Sequence, residues 1–89
     1  MKDRYLEVTF RKGKPLAAYL YLPRQPGEKS ARTENAGAGI LIDYSASGRP
    51  IGIEITAPLA VTPAALNAVL ARTGLEEVAP EELAPLRAA

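Results

Sequence analysis

Between Ile40 and Ile55 the chain alternates apolar and other residues twice, once on each side of a short polar turn. In the first run Ile40, Ile42 and Tyr44 fall on one side and Leu41 and Asp43 on the other. In the second, Ile51, Ile53 and Ile55 oppose Gly52 and Glu54. A period of two belongs to extended chain with one buried face. The link Ser45-Ala46-Ser47-Gly48 suits a type I turn, with Gly48 supplying the left-handed residue of a bulge. A one-residue slip would put three isoleucines in water, so the pattern fixes the register. A chain with this hairpin has to build an antiparallel sheet with one dry face.

The remaining residues extend that sheet and then cover it. Tyr5–Phe10 alternates, with Leu6, Val8 and Phe10 against Tyr5, Glu7 and Thr9. Arg11-Lys12-Gly13-Lys14-Pro15 reads as a hairpin tip. Ala17–Leu22 is the second strand, with Ala18, Leu20 and Leu22 on one face and Ala17, Tyr19 and Tyr21 on the other. Pro23–Glu28 is a loop, Ser30–Asn35 a short polar edge strand, and Gly37-Ala38-Gly39 a break. Thr62 is placed to cap a helix that Pro63 opens, with Leu66, Val69, Leu70 and Thr73 on one face and Gly74 at its end. Pro80 opens a short second helical turn through Leu83, and Pro85 ends it. The expected fold is a single α+β domain over residues 1–89. Its sheet spans about 5–58 and its helical tail about 62–86. It is an antiparallel β-meander of four to five strands with one main C-terminal helix packed on one face. The expected core face collects Leu6, Val8, Phe10, Ala18, Leu20, Leu22, Ile40, Ile42, Ile51, Ile53 and Ile55. At roughly 1.5–3 kcal/mol per large side chain buried, that layer is the main gross stabilising term.

What is missing narrows the chemistry. The chain has no Cys and no His. Disulfides, thiolate nucleophiles, zinc ribbons and Ser-His-Asp catalysis are therefore excluded. No side chain has an ordinary pKa near 7, and no glycine-rich phosphate loop occurs. The reading is of a protein that is not an enzyme and carries no cofactor and no metal. No apolar run approaches a membrane span, and no signal peptide is visible, so a cytoplasmic address and no membrane contact are expected.

Two stretches carry a resemblance. They are Arg32-Thr33-Glu34-Asn35-Ala36-Gly37-Ala38-Gly39-Ile40-Leu41-Ile42-Asp43-Tyr44 and Ser47-Gly48-Arg49-Pro50-Ile51-Gly52-Ile53-Glu54-Ile55. Together with Ala17-Ala18-Tyr19-Leu20-Tyr21-Leu22, they resemble the small prokaryotic family catalogued as domain of unknown function 2283, over about residues 5–58. Asp43-Tyr44, Gly48 and Gly52-Ile53-Glu54-Ile55 carry most of the likeness. The first hairpin departs from it, because Arg11, Lys12 and Lys14 stand where the family places acidic residues, and Ser45 replaces the turn aspartate. The resemblance implies a small β-rich domain with no known activity, and association with small toxin-like partners. The tail from Thr62 lies outside it.

Three groups of residues are candidates for function. Tyr5, Tyr19 and Tyr21 share the outward sheet face with Leu41, an apolar surface for a solvent face; it points to a homodimer or a small protein partner. Arg11, Lys12 and Lys14 project from the first hairpin and would hold phosphates, the nucleic-acid alternative. Residues 1–32 carry eight Lys and Arg against three acids, and residues 33–89 three against seven, so net charges of +5 and −4 are separated along the chain. Because the overall charge is only +1, nucleic acid is not the expected partner. Asp43 and Glu54 flank one hairpin on that outward face. They form the third alternative, a carboxylate pair for acid–base work or a cation. Gly52, between them, marks close approach by a neighbouring backbone or by the ring of Tyr19 or Tyr21.

Overall fold

The computed structural model describes residues 4–79 and 81–83. Five strands and a helix follow one another: β1 (Tyr5–Arg11), β2 (Lys14–Tyr21), β3 (Arg32–Gly37), β4 (Ile40–Tyr44), β5 (Pro50–Ile55) and α1 (Pro63–Arg72). All pairings are antiparallel, in the order β1-β2-β5-β4-β3. The α+β fold expected from the sequence is therefore present, with five strands and a C-terminal helix on one face. Hairpin-linked strands do pair, but β5 rather than β3 lies beside β2. The loop after β2 carries the chain to the far edge, and β3-β4-β5 folds back as a meander.

Local chemistry explains each reversal. Lys12 and Gly13 both have positive φ, 53° and 80°, the signature of a two-residue type I′ hairpin turn. That turn is tighter than the five-residue tip expected, so β2 starts at Lys14 and not at Ala17. The β4–β5 turn is the one the sequence announced. Gly48 N–H donates to Ser45 O at 2.9 Å, Ser45 N–H to Arg49 O at 2.9 Å, and Gly48 has φ 89°.

The core is the isoleucine face. Leu20, Ile40, Ile53, Ile55, Leu66 and Leu70 are all at most 1% exposed, and Val69 packs with them. Leu6 and Val8 join as half-buried neighbours. Phe10 does not: it is 45% exposed, which corrects its expected place in the core. The cause is a bulge. Thr9 faces Ala17 but Phe10 faces Pro15, leaving Leu16 as an extra residue of β2, itself 51% exposed. Past the bulge the strict alternation no longer holds, and it is Pro15 that is buried.

α1 is capped as its sequence demands. Ala65 N–H donates to Thr62 Oγ1 at 3.1 Å, Pro63 occupies the first turn, and Gly74 takes φ 75° beyond the last turn. Leu75 N–H reaches back to Leu70 O at 2.8 Å and Gly74 N–H to Ala71 O at 3.1 Å, the paired bonds of a Schellman ending. The chain then runs on as a strap that buries Val78 and Leu83. Asn67 fixes it by accepting from Val78 N–H at 2.8 Å. Arg4 clamps it more firmly, donating to Glu76 O at 2.7 Å and Glu77 O at 2.8 Å and pairing with Glu82 at 3.3 Å. A helical turn does form at residues 81–83. Pro80, Pro85 and the expected end of the tail near 86 lie outside the described residues.

Candidate functional site

The helix and strap cover one face of the sheet, and the opposite face carries the candidates. Register places them in two rows. Tyr5, Tyr21, Gly52, Asp43 and Thr33 form the first, and Glu7, Tyr19, Glu54, Leu41 and Asn35 the second. All four residues of the expected docking surface, Tyr5, Tyr19, Tyr21 and Leu41, therefore share this outer face with Asp43 and Glu54.

The tyrosines form one cluster. The rings of Tyr5 and Tyr21 stack with centroids 4.6 Å apart, and Tyr19 meets Tyr21 edge-on at 4.7 Å. Such pairs add about 0.5–1.5 kcal/mol beyond the area they bury. Gly52 makes the arrangement possible. A Cβ there would lie 1.9 Å from the Tyr19 hydroxyl, so the ring occupies the space a side chain would need. This is the close approach that a glycine inside a strand signals.

Crossing Gly52 brings the Tyr19 hydroxyl to Asp43. It donates to Asp43 Oδ2 at 2.6 Å, while Thr33 Oγ1 donates to Asp43 Oδ1 at 2.6 Å. Burial first, then the bond and the charge of Asp43, push the Tyr19 phenol up to about 12, against a smaller opposing pull from Arg24. Tyr21 donates to Glu7 Oε1 at 3.0 Å, and that bond is the main cause of its raised pKa. Arg24 is anchored by a 2.9 Å bond to Ile51 O, and its guanidinium lies 6.0 Å from the Tyr21 ring centre.

Asp43 and Glu54 stand on neighbouring strands, offset by one row. Both oxygens of Asp43 are engaged by Tyr19 and Thr33, whereas Glu54 makes no side-chain hydrogen bond among the described residues. No group of three or more potential ligating side chains is found among the described residues. The two carboxylates are thus differently placed: Asp43 is held by two hydroxyls, and Glu54 is not.

Arg11, Lys12 and Lys14 lie apart from that cluster, on the β1–β2 hairpin tip. They are exposed and form no ion pair among the described residues. With Pro15 and Leu16, they wall a groove of about 450 Å³.

Sequence reasoning missed three participants. Glu7 was visible, since alternation puts it beside Tyr5. Thr33 and Arg24 were not, because their partners are reached only through long-range pairing.

No helix among the described residues is long and apolar enough to cross a membrane. No curated protein and no solved structure matches the chain. One family model does, described as "Protein of unknown function (DUF2283)". It covers residues 17–57, so the segment from Ala17 in β2 to just beyond β5, which supplies Tyr19, Tyr21, Leu41, Asp43, Gly52 and Glu54, resembles that family, while β1, its basic tip and α1 lie outside the match.

Proposed function

We propose that this protein is a non-enzymatic binding module that takes a protein partner on its outer sheet face. One observation carries the reading. An uncovered sheet face holds a packed cluster of three tyrosines beside Leu41, with the Tyr21 and Tyr19 hydroxyls fixed by Glu7 and Asp43. Aromatic rings held rigid before binding lose little conformational freedom on contact, and tyrosine is enriched in protein interfaces for that reason. The carboxylate alternative has less support, because Asp43 is committed to Tyr19 and Thr33. The nucleic-acid alternative rests on three cations with a single exposed ring, Phe10, beside them.

The test compares three tagged chains in a cell lysate supplemented with the untagged chain: wild type, Tyr5→Asp/Leu41→Asp, and the helix-side control Ala64→Asp. A protein, the untagged copy included, should be held by wild type and control and lost from the face variant. Equal retention by all three, or retention by none, would overturn the proposal.

A further inference from the structure

We infer that the occupant of the outer face is a second copy of this chain, seated antiparallel, with the basic hairpin tip of each protomer over Glu7 of the other and beside its Glu54. The inference rests on the docking reading above and gives it a partner. Its ground is a separation of charge along the strands. The two tyrosine rows contain Glu7, Asp43 and Glu54 and no Lys or Arg, and Arg24 approaches them from the loop after β2, 6.0 Å from the Tyr21 ring centre. The hairpin tip contains Arg11, Lys12 and Lys14, and no acid occurs between Val8 and Gly27. At about 3.3 Å per residue, Lys12 is roughly 16 Å along the strand from Glu7. That is about twice the screening length at physiological salt, so the two patches do not neutralise each other within one chain.

A two-fold axis lying in the plane of the face and crossing the strands reverses strand direction. It lays each end of one face on the opposite end of its partner, which is the self-complementary arrangement a closed dimer requires. With the axis near the Thr9–Ala17 pair, the partner's Lys12 comes to the level of Leu6 and Glu7. Leu16, which the bulge leaves exposed beside Ala17, is then covered close to the axis, and Tyr19 lies one row farther out, in the row it shares with Glu7, Glu54 and Leu41.

Charge reversal tests the arrangement on the purified full chain. One variant is Arg11→Glu/Lys14→Glu, which leaves Lys12 at its positive-φ position. The other is Glu7→Lys/Glu54→Lys. Solution mass is read by light scattering over a concentration series, with circular dichroism confirming that each variant folds. Wild type should be a dimer that weakens with salt, and each variant alone should associate at least about tenfold more weakly. Mixing the two should restore the dimer, since each tip then meets a face of opposite sign, and so should placing all four changes in one chain. A monomeric wild type overturns the inference, and if a protein is still captured through the tyrosine face, the docking reading survives it. A dimer that ignores both reversals, or is not restored by mixing, overturns the inference as well. A dimer that also persists in Tyr5→Asp/Leu41→Asp overturns both.

Discussion

An alanine at position 52 would collide with the Tyr19 hydroxyl, at 1.9 Å, and with two atoms of its ring. The ring cannot yield without giving up its 2.6 Å bond to Asp43. We therefore expect Gly52→Ala to cost about 1–3 kcal/mol in chemical denaturation, with part recovered when Tyr19→Ala is added. The same contact sets a pH response. The Tyr19 pKa is raised in the folded state from 10.0 to about 12, so folding favours its neutral form. Its contribution to stability is complete below about pH 10, the unfolded value, and is lost as pH rises through 12. Ultraviolet titration should show one tyrosine ionising near 12 in the wild type. In Asp43→Asn that ionisation should move down toward the ordinary value. No movement would mean that Asp43 does not hold the phenol.

Among the elements, the strap after α1 is held by Asn67 and, from the other end of the chain, by one side chain, Arg4. The Arg4 side chain is 5% exposed and grips two carbonyls as well as Glu82. Hydrogen bonds from a charged group contribute about 1.5–3 kcal/mol. Arg4→Ala should release residues 75–83 first, so that hydrogen exchange at Val78 accelerates while Leu70 in α1 stays protected. Equal acceleration at both would show that strap and helix open together. Nothing local in the sequence marks Arg4, whose partners lie 72 to 78 residues away. By contrast, α1 was legible in full, because Thr62, Pro63 and Gly74 act on their own neighbours. The isoleucine strands and their turn were legible for the same reason, except that the register shifts between Asp43 and Tyr44 and leaves Ile51, though buried, as an extra residue of β5. Phe10 was misplaced because alternation carries no warning of the extra residue at Leu16. The pairing of β2 with β5 had no signal at all, since local pattern says which face a strand buries and not which strand it joins. On the outer face the tyrosines were legible as neighbours, but their bonds to Glu7 and Asp43 needed the register.

Sheet, helix and strap share one hydrophobic cluster, which includes Leu66, Val69, Leu70, Val78 and Leu83 from the C-terminal third. The Cα radius of gyration, 12.6 Å, is close to the value of about 12 Å for one domain of this length. Removing a single buried leucine costs about 2–5 kcal/mol, against a total stability of about 5–15 kcal/mol for a whole domain. A chain ending at Ala60 should therefore show no cooperative thermal transition, while the full chain shows one. A sharp transition in the short chain would mean that the sheet stands alone. The clustering of the tyrosines has one more consequence. The protein contains no tryptophan and four tyrosines. Three of them are on the outer face, and the fourth, Tyr44, packs against the core with its ring 4.2 Å from the Arg32 guanidinium. Three of the molecule's four tyrosine fluorophores thus stand on the one surface proposed to be covered. The folded chain is its own optical reporter, and any partner that closes over that face will announce itself in unlabelled protein.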